Sequence, residues 1–308
     1  MTNNSSVQPD SLLASEKSSV FVVSIVILVM FLWAICFPLI SWGLEESPPL
    51  YYAALRAFIA GMSLLIPCWL LRRPRPRGAH VWLLLIGIGL TTTSVGFYGM
   101  YLAGGLVTPG LATVLANTQP IIALIIAYFV LSERLGRRGI AGILIGFLGI
   151  VLIGVGDIDN KGISYAIGIM YIILSAIGVA IGNVALKRLA GQVDVPSAMG
   201  WQLFIGSIPL LAVAVLTENS HDINWSTTFI ATLLSLSLFG TSLVFVLWFW
   251  LLKQNDLGRL NVFSFLTTGF GLLLGLLFFD ETFGVLEISG IVVTLIGISL
   301  VGVKSKQR

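Results

Sequence analysis

The chain has 308 residues, 57% of them hydrophobic and 10% charged, with a formal net charge of +3. Ordinary soluble domains carry about 25% charged residues, and a chain this apolar has too few polar groups to cover a surface facing water. Composition therefore excludes a soluble globular domain. Two cysteines, Cys36 and Cys68, both inside apolar runs, exclude a disulfide framework or a zinc cluster.

Residues 1–19 are polar and Ser-rich and read as a tail. The apolar run that follows is too long for a signal peptide and has no small-x-small cleavage site, so it reads as the first span. A spanning helix needs about 20 mainly apolar residues. Apolar runs between polar breaks predict ten spans: 20–42, 50–71, 81–103, 108–131, 139–156, 163–186, 196–216, 228–252, 259–279 and 285–303. Residues 304–308 form a second tail. The predicted class is an all-α membrane protein of ten transmembrane helices.

In span 1, Pro38 frees the carbonyl of Ala34 and marks a hinge, and the span contains no acid. Span 2 carries Arg56, the one cation well inside a span. Burial at the membrane centre would cost about 3 kcal/mol. It lies about six residues, or ~9 Å, from the outer end of the span. Snorkelling, or pairing with an outer acid such as Glu281, is therefore the favoured structural role, and a carboxylate-binding cation is the alternative. Span 3 offers Tyr98 and Tyr101, three apart on one face. In span 4, Pro120 frees the carbonyl of Ala116, and Asn117 and Gln119 flank it, so several polar contacts for a solute stand mid-span. Span 6 has Asn183 at mid-span, span 8 has Trp248, and span 9 has Thr267 and Thr268. Glu133 and Glu281 stand at helix ends, with structural or coupling roles. Pro67 and Pro209 read as kinks, and the pairs Gly178/Gly182, Gly142/Gly146 and Gly271/Gly275 as close-packing faces.

With ten spans, fifteen basic residues fall on the side of both termini: Lys17, Arg72, Arg73, Arg75, Arg77, Arg134, Arg137, Arg138, Lys187, Arg188, Lys253, Arg259, Lys304, Lys306 and Arg308. The opposite loops hold only Lys161. The positive-inside rule then makes both termini cytoplasmic, in a multi-pass protein of a cell inner or plasma membrane. The run Arg72–Arg77 reads as a topology anchor and not as a nucleic-acid site.

Residues 110–154 align without gaps on 258–302, at an offset of 148. The identities include Gly110/Gly258, Val114/Val262, Glu133/Glu281, Gly136/Gly284, Gly142/Gly290, Gly149/Gly297 and Gly154/Gly302. Spans 4–5 thus recur as spans 9–10. Halves of five spans each, 20–158 and 159–303, must be inverted, and inverted halves around one midplane site are the construction of alternating access.

The runs Asn117-Thr118-Gln119-Pro120, Leu131-Ser132-Glu133-Arg134-Leu135 and Phe279-Asp280-Glu281-Thr282-Phe283, with Arg56 and Ile181-Gly182-Asn183, resemble the EamA-type branch of the drug/metabolite transporter superfamily across 20–303. The resemblance implies a cavity lined by spans 1, 3, 4, 6, 8 and 9, with spans 2 and 7 peripheral, and export of amino acids or related metabolites. It adds Trp33 to the candidate solute contacts. Two departures concern the pocket: Trp33-Ala34 stands where Trp-Gly is usual, and Leu266-Thr267-Thr268 where a Pro is frequent.

Multidrug efflux is the second transporter reading, and vitamin or sugar-like uptake the third. Small multidrug antiporters, distant relatives, use a mid-span Glu that span 1 lacks. A channel would need a continuous polar stripe. Gly154-Val155-Gly156-Asp157 matches an intramembrane protease string, but no span supplies the second Asp. There is no P-loop and no H-E-x-x-H run, so no enzyme, cofactor or metal site is expected. The expected partners are a small-molecule solute and the lipid bilayer, with a homodimer left open and nucleic acid excluded.

Overall fold

A computed structural model describes residues 9–119, 121–123, 125–126, 137–156, 158–254 and 263–302. Among them there is no strand, only an isolated bridge between Gly104 and Val107. The first predicted span comprises α1 (Pro9–Ala34) and α2 (Cys36–Leu44). The break at Ile35 is where the missing N–H of Pro38 interrupts the helical ladder. There follow α3 (Pro49–Leu70), α4 (Ala79–Ile88), a π-helical segment (Gly89–Val95) and α5 (Gly96–Ala103). Next come α6 (Pro109–Ala116), α7 (Arg137–Gly156), α8 (Ile158–Leu189) and α9 (Val195–Thr217). The chain continues with α10 (Thr227–Ser237), a second π-helical segment (Leu238–Leu243), α11 (Val244–Gln254), α12 (Ser264–Phe278) and α13 (Val285–Gly302).

Local chemistry sets several ends. Proline opens α3 and α6, where its missing N–H is harmless. The carboxylate of Asp194 accepts from Ser197 N at the start of α9, and Ser226 Oγ accepts from Phe229 N at the start of α10. Six helical stretches are long and apolar enough to cross a membrane: Phe21–Leu44, Pro49–Leu70, Ala79–Ala103, Ile163–Leu189, Val195–Thr217 and Thr227–Lys253. Large apolar side chains such as Leu83, Leu144, Met170, Leu216 and Leu277 face outward from different helices. An apolar belt of that extent suits lipid and not water, and the protein is a multi-pass membrane protein.

Two seams join the first part of the chain to the second. Helices α3 and α9 run antiparallel. Glu218 accepts from Leu50 N at 2.8 Å and Tyr51 N at 2.9 Å at one end, and Arg73 pairs with Asp194 at 3.2 Å at the other. At their centre Phe58 packs on Phe204 with ring centroids 6.0 Å apart. Helices α7 and α13 also run antiparallel, so close that side chains would not fit. A Cβ on Gly149 would lie 2.7 Å from Gly290 O, and one on Gly297 would lie 2.8 Å from Gly142 O. Both contacts exchange under the sequence repeat, since 149 and 297, and 142 and 290, are each 148 apart. Helix 7 thus meets helix 13 as helix 13 meets helix 7, which is the mark of a local two-fold axis.

The π-helical segments obey the same relation, with Thr93-Ser94 and Thr241-Ser242 as the shared residues. Ser242 Oγ donates to Ala60 O at 2.9 Å, and Ser94 Oγ donates to Gly206 O at 2.7 Å. Thr241 Oγ1 accepts from Arg56 Nε at 2.8 Å, and Thr93 Oγ1 donates to Gln202 Oε1 at 2.8 Å. Ala60 and Gly206, Arg56 and Gln202, and Phe58 and Phe204 are each 146 residues apart. Each π segment is therefore clamped by a helix from the other part of the chain. An irregular helical turn inside a membrane helix persists where neighbouring groups satisfy its backbone, and such turns concentrate at functional sites.

Candidate functional site

Between the seams lies a cavity of about 140 Å³. Helices α1 and α2 bring Trp33, Cys36 and Phe37 to it; the first π segment and α5 bring Thr92, Phe97 and Met100. Gln119 follows α6, Asn183 lies on α8, Gly240 lies in the second π segment, Phe245 and Trp248 on α11, and Thr267 on α12. These elements fall within spans 1, 3, 4, 6, 8 and 9, the set that the resemblance implies. Helices α3 and α9, expected at the periphery, nevertheless contribute Arg56, Met199 and Gln202. Their reason is the clamp: each reaches past its neighbour to a π segment, and its side chain ends at the cavity wall.

The wall is mainly aromatic and aliphatic. Trp33 and Trp248 meet edge to face, with centroids 4.9 Å apart. The indole Nε1 of Trp248 is buried with no hydrogen-bond partner among the described residues. The amides of Gln119 and Asn183 line the same space and make no side-chain hydrogen bond among the described residues. Thr267 Oγ1 lies 3.0 Å from Met30 Sδ.

Arg56 is 2% exposed and neither snorkels nor pairs with Glu281, contrary to the expectation from sequence. The acid is engaged elsewhere: Glu281 Oε1 accepts from Gly110 N at 2.8 Å, at the start of α6, where the helix dipole favours an anion. Arg56 stacks over the Phe97 ring, 4.5 Å from its centroid, and over Tyr101 at 5.9 Å. Its donors meet Thr241, Gly240 O, Tyr101 OH and the sulfurs of Cys36 and Met100, all neutral. No carboxylate among the described residues lies within ion-pair distance of it.

The remaining candidates take other places. Tyr101 is fully buried and reaches the cavity only through Arg56, packing on Tyr52 and Phe97. Tyr98 packs against Tyr171 on α8 and is not in the cavity wall. Asn117 turns back on its own helix, donating to Thr113 O at 3.0 Å. Thr268 is buried beside the wall and not in it. Pro120 and Glu133 lie outside the described residues. Sequence reasoning did not reach Gln202, Thr92, Phe97 or Phe245. The Thr-Ser pair repeated at an offset of 148 would have led to the π segments and so to Gln202. Glu287, buried at the start of α13 and accepting from Tyr165 OH at 3.0 Å, was also missed. Among the described residues no cluster of His, Cys, Asp and Glu could hold a metal.

The profile of the EamA-like transporter family matches this chain twice, over residues 20–155 and 166–303. The chain belongs to the EamA-like transporter family. The two matches coincide with the two parts that the seams join. The chain is 30% identical to a WAT1-related chloroplastic protein of Arabidopsis thaliana, over 90% of this chain and 68% of that protein. It is 27% identical to a Salmonella typhimurium protein named "Probable amino-acid metabolite efflux pump", over 88% of this chain and 91% of that one. An uncharacterised transporter of Bacillus subtilis is 28% identical, over 91% of each. A solved crystal structure shares the fold with a TM-score of 0.65 at 20% identity, covering 91% of this chain and 95% of that one.

Proposed function

We propose that this EamA-family protein is a secondary carrier that exports small metabolites, amino acids or related compounds, by alternating access. It does so through ten transmembrane helices in two inverted five-helix halves, 20–158 and 159–303. The observation that carries this reading is the reciprocal, antiparallel packing at both seams, α3 on α9 and α7 on α13, around one cavity. A two-fold axis perpendicular to spanning helices lies in the membrane plane. Halves related by it face opposite ways, so exchanging their conformations reopens the cavity on the other side. The excess of basic residues on the side of both termini supports a cytoplasmic location for them. The name of the Salmonella relative supports export of amino-acid metabolites.

With no acid in the cavity wall among the described residues, transport is facilitative or coupled through the edge carboxylates Glu133 and Glu281. Multidrug efflux is the second reading, favoured by the aromatic wall and opposed by Arg56, whose charge repels cationic drugs.

Reconstitution in liposomes tests the carrier. Internal amino acids or related metabolites should drive saturable counterflow of the labelled solute. Flux that rises linearly with concentration, with no counterflow, overturns the carrier in favour of a pore. Labelling tests the inversion: single cysteines at Arg138 and Val285, both exposed, should react from opposite faces of the membrane. Reaction from one face overturns it.

A further inference from the structure

We propose that Arg56 binds the carboxylate of a small monoanionic solute whose apolar body lies among Trp33, Phe97 and Trp248, an assignment of solute class that rests on the carrier reading. Three features of the cavity converge on it. The first is an uncompensated charge. A guanidinium cannot shed its proton in a protein, and a buried cation is costly without a counter-charge. Arg56 has only neutral acceptors. Its one short hydrogen bond goes from Nε to Thr241, at 2.8 Å. The terminal nitrogens meet Gly240 O at 3.3 Å, Tyr101 OH and Cys36 Sγ at 3.5 Å, and Met100 Sδ at 3.8 Å. A carboxylate oxygen is a far stronger acceptor than a phenol, thiol or thioether at such distances.

The second is an orphan donor in the same wall. Trp248 Nε1 is buried with no partner among the described residues, and an indole N–H can only donate. What satisfies it must be an acceptor, which a carboxylate supplies and an ammonium does not.

The third is what the wall does and does not hold. Its described residues include one cation and no acid. One guanidinium balances one negative charge, which suits a carboxylate better than a phosphate dianion. An ammonium would find no counter-charge among the described residues, only neutral acceptors such as the amide oxygens of Gln119 and Asn183 and the hydroxyls of Thr92, Ser175 and Thr267. The volume, about 140 Å³, is close to the ~150 Å³ of cavities that take up one benzene ring. The solute is therefore of about one-ring size.

Three probes of matched size separate the charges: 3-phenylpropanoate (acid only), phenylalanine (acid and amine) and 2-phenylethylamine (amine only). Each is titrated against the purified full-length protein in detergent, with thermal stabilisation and calorimetric affinity as readouts. Phenylpropanoate should bind best, phenylalanine more weakly, and phenylethylamine not at all. Arg56→Met should weaken phenylpropanoate binding by about ten- to a hundredfold, and Arg56→Lys should recover part of that loss. Trp248→Phe, which keeps an aromatic ring of smaller size and removes the donor, should weaken it by about fivefold.

Phenylethylamine binding as tightly as the acid overturns the proposal, as does undiminished acid binding in Arg56→Met, or binding of none of the three. The ligand series on the unaltered protein decides the matter even if Arg56→Met does not fold. The two readings fail separately. Saturable liposome flux of a cationic dye, with no acid binding, removes the carboxylate site and keeps the carrier. Acid binding that needs Arg56, with no saturable flux of any solute, keeps the site and removes the carrier.

Discussion

The two π-helical segments have the same frame and different chemistry. In each, a serine holds a backbone carbonyl of a helix from the other half, Ser242 on Ala60 and Ser94 on Gly206. In each, the preceding threonine meets a long side chain from that same helix, but Thr241 meets the cation Arg56 and Thr93 the neutral amide of Gln202. Both side chains end at the cavity wall. Symmetry has been kept where it builds the scaffold and broken at several positions that line the cavity, Arg56 against Gln202 and Met100 against Trp248 among them, while Phe97 and Phe245 keep it there. Alternating access requires the scaffold to be nearly interchangeable between halves. A single solute lying across a two-fold axis sees both halves at once and needs no symmetry in the groups that bind it.

Substitutions made in pairs across the axis test that division. The largest effect is expected at the α7–α13 seam, where Gly149→Leu and Gly297→Leu each force a side chain against backbone atoms of the facing helix. Each should cost about 3 kcal/mol or more, and the two should match. Guanidine unfolding or apparent Tm of the detergent-solubilised variants reads this out, and a wide disagreement between them would break the symmetry of the seam.

The π-segment threonines should be unequal. Thr241→Val takes the short acceptor from a buried charge and should cost about 2–3 kcal/mol, whereas Thr93→Val strands a neutral amide and should cost about 1 kcal/mol. Equal losses, measured in the same way, would mean that Arg56 and Gln202 do the same job. The smallest effects belong to Ser242→Ala and Ser94→Ala. Each removes the hydroxyl's bond to the facing helix for about 0.5–1 kcal/mol, and Ser242→Ala should cost slightly more because its hydroxyl also meets Ser63 Oγ at 2.7 Å.

Much of the fold was legible because glycines and a glutamate in register are hard to explain by shared apolarity. The pairs Gly142/Gly290 and Gly149/Gly297 marked the repeat in the sequence, and the fold sets them at the seam between α7 and α13. The repeat was harder to see in α3 and α9, where Arg56 and Gln202 correspond in position but not in residue type and the offset changes from 148 to 146. The candidate site was only partly legible. Tyr98 and Tyr101 stand three apart, about 60° around a helix of 3.6 residues per turn. That arc separates a ring packed on Tyr171 from one packed beneath Arg56.

Composition, span length, charge bias and the repeat are properties of the chain read one residue after another. They determined a membrane protein of the EamA type with two related halves, because water, lipid and helix length act on local stretches. The partner of Arg56 was a tertiary matter. Its contacts come from residues 20 to 185 positions away along the chain, and no local pattern reports which elements will face a given side chain. Only packing showed that Glu281 serves the amide of Gly110 and leaves the guanidinium among neutral groups at the cavity wall. The field around a buried charge is the sum of everything folded about it.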